Sequence, residues 1–253
     1  MAAMKQSYRG LVSSDWNECL APCGPFDVMA FHYPDLNDQL NVIFKQYTGN
    51  QISLGQAAGQ IKDLLPSPIR LEQVDAYLKS EFKSYTGVRS LMDWCREHDV
   101  LFMINTTGSI GYFQRAVALG VFPSFPILSA HPWIRFPGSS KDPKHVFELY
   151  EIEDKSQNTM AAAKKFNIPS HRIIIMGDSG GDGPHFQWGH TKGACLVGSM
   201  TKYSLGAFCR TNGIHIDHRI GPTYRKGEST DPDREMAVDF AELIPVITER
   251  LGT

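Results

Sequence analysis

Apolar residues along the chain change between helical spacing and short continuous runs. Between about residues 35 and 82 they recur at three and four positions, and Gly49, Pro66 and Pro68 separate the runs. This pattern predicts a small group of helices. The helices follow a short apolar entry at Gly10–Ser14 and a turn rich in proline and glycine at residues 21–25.

The remainder of the chain alternates buried strands with helices. Continuous apolar runs at residues 100–104, 173–176 and 194–197 are too short for helices and therefore predict strands of a parallel sheet. Helical spacing precedes or follows these runs, and residues 240–251 form a predicted amphipathic helix. The order predicts an α/β fold with a Rossmann-like, doubly wound parallel sheet, in which ligands bind at the carboxyl ends of strands.

One segment between the two halves has the pattern of a hairpin. Residues 131–136 and 145–152 show alternating faces and flank the sequence Pro-Gly-Ser-Ser at residues 137–140. These features predict a β-hairpin or flap ahead of Lys155.

Composition narrows the class of protein and its partners. The 253 residues are 42% hydrophobic and 21% charged, which suits one large domain or a core with a subdomain. Lys and Arg number 25 against 27 Asp and Glu, a formal charge of −2, so we expect neither nucleic acid nor an anionic membrane as a partner.

The sequence lacks a secretory signal and a spanning apolar stretch, and its five cysteines lack zinc-type pairing, so we expect a soluble, cytoplasmic protein. Its oligomeric state is left open.

Polar residues stand where predicted strands end or helices begin. Asp15 follows the first apolar run, Thr106 follows residues 100–104, and Asp178 and Asp182 follow residues 173–176. Lys155 opens the helix that precedes this last strand. In a doubly wound sheet these positions converge on one edge, which predicts a single site.

In this order the residues resemble the four motifs of the haloacid dehalogenase superfamily. Asp15-Trp-Asn-Glu-Cys19 matches the first Asp of its Asp-x-Asp-x-Thr motif, Thr106 the second motif, Lys155 the third, and Gly177-Asp-Ser-Gly-Gly-Asp182 the fourth. The resemblance implies a core at residues 1–23 and 85–253, with a helical C1 cap inserted at 24–84. The flap ahead of Lys155 resembles the phosphoserine-phosphatase-like branch.

The resemblance also implies a reaction and a role for each group. We expect a Mg²⁺-dependent phosphatase that acts on a small phosphorylated molecule through an aspartyl-phosphate intermediate. The implied catalytic residues are Asp15, Thr106 and Lys155. The implied substrate-binding residues are Thr106, Thr107, Gly108 and Lys155, and the implied Mg²⁺ residues are Asp15, Asn17 through its carbonyl, Asp178 and Asp182.

Asn17 departs from the family pattern. The family's phosphatases carry an acid here that protonates the leaving oxygen and activates water, and an amide does neither at neutral pH. His185 or His190 is a candidate substitute. A phosphonoacetaldehyde-hydrolase-like or dehalogenase-like hydrolase stays open as an alternative, the former with a Schiff-base lysine among Lys45, Lys62, Lys79 and Lys83. A non-catalytic phosphate-binding protein is the third alternative.

Overall fold

The computed structural model describes residues 7–49 and 51–252. Residues 1–6, 50 and 253, which fall within the predicted core and cap, lie outside the described residues. The strands are β1 Gly10–Ser14, β2 Val100–Ser109, β3 Ile127–His131, β4 His145–Glu148, β5 Ile173–Gly177, β6 Cys195–Ser199 and β7 His218–Ile220. The helices are α1 Asp27–His32, α2 Asn37–Thr48, α3 Leu54–Leu64, α4 Leu71–Glu81, α5 Val88–Glu97, α6 Ile110–Leu119, α7 Asp154–Phe166, α8 Gly183–Lys192, α9 Tyr203–Thr211, α10 Pro232–Met236 and α11 Leu243–Leu251.

All seven strands run parallel in one sheet, in the order β4-β3-β2-β1-β5-β6-β7. Strand β1 lies at the centre, with Ser14 level with Ile104 of β2 and Met176 of β5. The chain continues to β2 on one side of β1 and later returns to β5 on the other. The carboxyl end of β1 is therefore the switch point where such sheets bind ligands. This sheet confirms the predicted doubly wound α/β fold.

Alternate strand residues point into two separate apolar layers. Val12 packs into the layer that includes residues of α5, α6 and α11, whereas its neighbour Leu11 packs into the layer with α7, α8 and α9. Because side chains alternate along a strand, one buried strand supplies both layers. Burial on both faces explains why the strands read as continuous apolar runs.

Four helices, α1 to α4, are inserted between β1 and α5, as the helical spacing predicts. Ser53 begins α3 with a capping box, in which its side chain accepts from the Gln56 amide and Gln56 accepts from the Ser53 amide. Helix α4 packs on α6, where Arg115 makes a bidentate ion pair of 2.6 and 2.8 Å with Asp75. We call residues 24–84 the inserted segment, and its action as a cap stays a prediction.

The predicted hairpin is wrong. Strands β3 and β4 pair in parallel, from Ile127 opposite His145 to Ala130 opposite Glu148. The Pro-Gly-Ser-Ser turn is only part of the connection over residues 132–144, which carries the chain back along the sheet before β4 begins. In addition, β2 runs to Ser109, beyond the apolar run that predicts it, and its pairing with β3 shifts register between Asn105 and Ser109.

Two further findings concern composition. The five cysteines are free and buried. Across residues 7–49 and 51–252, no helix has both the length and the apolar character to cross a membrane.

Candidate active site

Asp15 lies directly beyond the central strand, with 8% of its surface exposed. Its amide donates to the Met176 carbonyl at 3.1 Å and so extends the β1–β5 pairing by one residue. The Trp16 amide donates to Oδ1 of Asp15 at 2.7 Å, and Oδ2 lies 3.3 Å from Nζ of Lys155. Burial raises the pKa of the Asp15 carboxyl to about 6, although Lys155 opposes this change. Above that pH the Asp15 carboxyl is ionised and is held in place by these contacts.

Lys155 reaches the site from the first turn of α7 and is 2% exposed. Its Nζ donates to Oδ1 of Asp182 at 2.6 Å. Burial lowers its pKa, but Asp15 and Asp182 together raise it above the usual value, so the ammonium keeps its proton. The buried Asn105 amide donates to the Lys155 carbonyl at 2.9 Å and contacts Ser13, which ties the start of α7 to the central strands.

The loop after β5 is shaped around Asp182. Its Oδ2 accepts from the amides of Asp178 at 3.0 Å and Ser179 at 3.3 Å, while Oδ1 accepts from Lys155. A Cβ on Gly177 would lie 2.5 Å from Cγ of Asp182, so only glycine fits at this strand end. Because both Asp182 oxygens already accept hydrogen bonds, this side chain positions Lys155 and the loop.

Asp178 is paired differently from Asp182. Its Oδ2 lies 3.0 Å from Nζ of Lys202, which also contacts the carboxylate of Glu18. Its Oδ1 is buried and has no hydrogen-bond partner among residues 7–49 and 51–252. Sequence reasoning missed Lys202, although it follows the carboxyl end of β6 by three residues and the strand-end rule used for the other groups applies there.

This group of side chains fits a divalent cation. Carboxylate oxygens of Asp15, Asp178 and Asp182 lie within 4.8 Å of one another. With Glu18 there are four carboxylates against the ammonium groups of Lys155 and Lys202, a net charge of −2 when all are ionised. Burying uncompensated charge is costly, and Mg²⁺ prefers oxygen ligands such as the unpartnered Oδ1 of Asp178.

Asn17 is held by hydrogen bonds at both ends of its amide. Oγ1 of Thr106 donates to its Oδ1 at 3.1 Å, and its Nδ2 donates to the Cys23 carbonyl at 3.2 Å. Thr106 is fully buried behind Asn17 and accepts from the Gly108 amide at 3.2 Å. The Gly108 backbone lies close to the side chain of Asn17, because a Cβ added to Gly108 would lie 3.2 Å from Oδ1 of Asn17. The structure thus fixes a group without an ionisable proton in the same pocket as Asp15.

Two pockets meet at Asn17. The first, which we call the carboxylate pocket, is lined by Asp15, Thr107, Lys155 and Asp178 together with Tyr47 of α2. Tyr47 is 6% exposed, its hydroxyl lies near the Thr107 side chain, and burial raises its pKa. Tyr47 lies on the apolar face of α2, and no feature of the sequence marked it as a site residue. The second pocket, which we call the apolar pocket, is also lined by Asn17 and has Trp16, Met29, Val74, Tyr77, Tyr112 and Phe113 in its wall.

The proposed substitutes for the missing acid lie elsewhere. Nε2 of His185 is 2.9 Å from Oγ1 of Thr159, and burial lowers the His185 pKa to about 3, so its ring is neutral. The ring also lines neither pocket. His190 is exposed on α8. The candidate Schiff-base lysines are all exposed on the inserted segment and line neither pocket: Lys45, Lys62, Lys79 and Lys83.

Comparison with solved structures confirms the fold that the motifs imply. A phospho-aspartyl intermediate analogue of phosphoserine phosphatase matches 95% of this chain and 99% of its own, at 13% identity and a TM-score of 0.65. A substrate-bound phosphoserine phosphatase matches 94% and 97%, at 14% identity and 0.67. A hydrolase of the haloacid dehalogenase (HAD) family from Salmonella enterica serovar Typhi matches 97% and 73%, at 13% identity and 0.66. No family model and no curated protein matches the sequence. The chain therefore has the fold of the haloacid dehalogenase superfamily.

Proposed function

We propose that the chain is a Mg²⁺-dependent phosphomonoester hydrolase whose nucleophile is Asp15. The observation that carries this proposal is the gathering of Asp15, Lys155, Asp178 and Asp182 at the switch point of the sheet, with one carboxylate oxygen of Asp178 unpartnered. The similarity in fold to phosphoserine phosphatase, captured in a phospho-aspartyl analogue, supports the same chemistry here.

In the proposed reaction an oxygen of Asp15 attacks phosphorus as the bond to the leaving oxygen breaks. Lys155 bonds to the phosphoryl group and keeps Asp15 ionised, and Asp182 holds Lys155 in place. Water then attacks the phosphorus of the aspartyl-phosphate, which releases phosphate and regenerates Asp15. The departing carboxylate needs no proton, but the attacking water loses one, which passes to a phosphate oxygen or to solvent because the amide of Asn17 cannot accept it.

Mg²⁺ would be held by the carboxylates of Asp15 and Asp178 and the carbonyl of Asn17. When bound, it would offset the negative charge of the site and of the phosphoryl oxygens. Without that offset, the net charge of −2 opposes the entry of a phosphate dianion. Asp182 holds Lys155 and the loop through hydrogen bonds to both of its oxygens, and these oxygens lie close enough to those of Asp15 and Asp178 to contact the same ion.

A phosphate-binding protein without turnover is the second candidate function. The observation in its favour is Asn17, since both ends of its amide are committed to hydrogen bonds and it supplies no acid or base. The exposure of the four lysines on the inserted segment removes the support for a Schiff-base mechanism.

The test is hydrolysis of 4-nitrophenyl phosphate, a general substrate with a good leaving group, with Mg²⁺ and with EDTA. We expect turnover only with Mg²⁺, and a loss of ~10³-fold or more in Asp15→Asn. Asp93, which is half-buried on α5 and pairs with Arg96, provides a control, and Asp93→Asn should keep full activity. Mg²⁺-dependent binding of phosphate without turnover would establish the second candidate instead.

A further inference from the structure

The apolar pocket lies where the proposed reaction places the leaving group. Asn17 lines both pockets, with the nucleophile on the carboxylate side. An in-line attack by Asp15 sends the leaving oxygen away from the nucleophile. In the family pattern the residue at the Asn17 position acts on that oxygen, so the substituent on the oxygen extends into the apolar pocket.

No charged side chain lines this pocket among residues 7–49 and 51–252. Val28 and Met29 of α1 and Val74 of α4 face Phe113 of α6 and Ile134 across it. The free volume is about 20 Å³, room for one water molecule, so binding of a ring would require the inserted helices to move away from α6.

Asp27 comes near this pocket but does not supply a free charge. Its Oδ2 accepts from the Gly24 amide at 2.8 Å, and the hydroxyl of Tyr77 is a further partner of its side chain. Asp27 lines a different surface groove on the other side of Tyr77. A carboxylate with these partners offers little to a substrate ammonium group.

A pocket of this composition disfavours a zwitterionic alcohol such as serine. Burying an ammonium or a carboxylate without a partner costs several kcal/mol per ion. The pocket offers neither a counter-charge nor open water to such groups. Despite the similarity in fold to phosphoserine phosphatase, the wall favours an uncharged leaving group.

The absence of an acid at Asn17 favours the same class of leaving group. Loss of a general acid typically lowers the rate by ~10²–10⁴ when the leaving oxygen needs a proton. A phenol leaves as a stable phenolate and needs none. An aryl leaving group therefore matches both the uncharged wall and the amide beside the leaving oxygen.

We propose that the substrate is a phosphate monoester of an uncharged phenol, with its ring in the apolar pocket. This inference rests on the proposed function. An Asp15 oxygen forms a bond to phosphorus while the bond from phosphorus to the aryl oxygen breaks, and the electron pair leaves with the phenolate. The phenolate takes its proton from water after release, so the step needs no protein acid.

The test compares kcat/KM of the wild-type protein with Mg²⁺ on a substrate series. Phenyl and cyclohexyl phosphate have similar size but differ in leaving group, while phosphotyrosine has an aryl leaving group and a zwitterionic end. We expect phenyl phosphate to exceed cyclohexyl phosphate by ~10² or more. It should exceed phosphotyrosine by ~10-fold or more, mostly through KM. Phosphoserine should be the poorest of the four.

Asn17→Asp tests the role of the missing acid. Asn17→Asp places a carboxyl where the amide stands, and a carboxyl can protonate the leaving oxygen whereas the amide cannot. We expect the phenyl to cyclohexyl ratio to fall by ~10-fold or more. Asn212→Asp is the matched control because exposed Asn212, directly after α9, donates to the Phe208 carbonyl at 2.8 Å, and the ratio should not change in this variant.

Each outcome has a separate meaning. Equal turnover of phenyl and cyclohexyl phosphate by the wild type, or efficient turnover of phosphoserine, overturns the aryl proposal and leaves the hydrolase intact. An unchanged ratio in Asn17→Asp also counts against it. Inertness toward every ester, 4-nitrophenyl phosphate included, overturns the proposed function and this inference with it.

Discussion

Asp15 and Asn17 lie two positions apart and differ in the charge they bring to the site. Asp15 is a buried carboxylate with one ammonium neighbour that it shares with Asp182. Asn17 is a neutral amide whose two polar atoms are both bonded. In the proposed reaction, attack on phosphorus needs the Asp15 carboxylate. Protonation of the leaving oxygen needs an acid, and Asn17 stands at the position where the family pattern has one.

The pKa of Asp15 makes the stability of the metal-free protein dependent on pH. Burial raises this pKa from the usual 3.8 to about 6, so between these values the folded state binds more protons than the unfolded state. In EDTA, the free energy of unfolding should therefore decrease as the pH rises from about 4 to 6. Urea unfolding at pH 4.5 and pH 6.5 measures this decrease, and Asp15→Asn should reduce it. A decrease of equal size in Asp15→Asn would contradict the assignment of this pH dependence to Asp15.

We expect Lys202 to lower the affinity of Asp178 for a cation. Its ammonium lies 3.0 Å from Oδ2 of Asp178 and is 22% exposed. In Lys202→Met the site loses a positive charge, so Mg²⁺ should bind about 10-fold more tightly, as measured by calorimetry. In EDTA the same variant should lose about 2 kcal/mol of stability, since Asp178 is left unpaired.

The control for this prediction is Lys192→Met at the exposed end of α8, which should change neither quantity. Weaker Mg²⁺ binding in Lys202→Met would show instead that Lys202 organises the cation site. In that case its charge does not compete with the metal.

Among individual residues, sequence reasoning found those that end a strand or begin a helix. Asp15, Lys155, Asp178 and Asp182 come together because the parallel register aligns the ends of their strands. Tyr47 could not be found in this way, because its position depends on how the inserted helices pack on the core. Such packing is set by contacts between distant segments and leaves no local pattern.

At the scale of elements, the end of β5 is shaped for Asp182. In Gly177→Ala the new methyl group would overlap the Asp182 side chain at about 2.5 Å, so Asp182 and Lys155 must shift. We expect a loss of about 1–3 kcal/mol in urea unfolding and of most phosphatase activity. The matched control is Gly59→Ala in α3, where a methyl group meets nothing within 4 Å and should stabilise the helix by about 0.5–1 kcal/mol. Full activity in Gly177→Ala would show that Asp182 need not hold Lys155.

The order of strands and helices could be predicted because fully buried strands are short and continuously apolar. The direction of β4 could not, since alternating faces and a Pro-Gly turn fit a hairpin equally well. A parallel return needs only a longer connection, which residues 132–144 supply. Likewise, β2 continues through polar residues as far as Ser109, where hydrophobicity gives no signal of a strand.

For the whole molecule, three distant parts of the chain supply one charged cluster. Asp15 comes from the first strand, Lys155 from α7, and Asp178 from the loop after β5. The inserted segment adds Tyr47 to the carboxylate pocket and part of the wall of the apolar pocket. The fold thus brings an acidic pocket and an uncharged pocket together at one amide.

Trapping the phosphorylated protein tests the central claim most directly. The protein is mixed with phenyl phosphate labelled at phosphorus, with Mg²⁺ or EDTA, and the reaction is stopped with acid within one turnover. We predict a hydroxylamine-sensitive label on the peptide that contains Asp15, present only with Mg²⁺ and absent in Asp15→Asn. Turnover without such a label, or a label that persists in Asp15→Asn, would contradict the account.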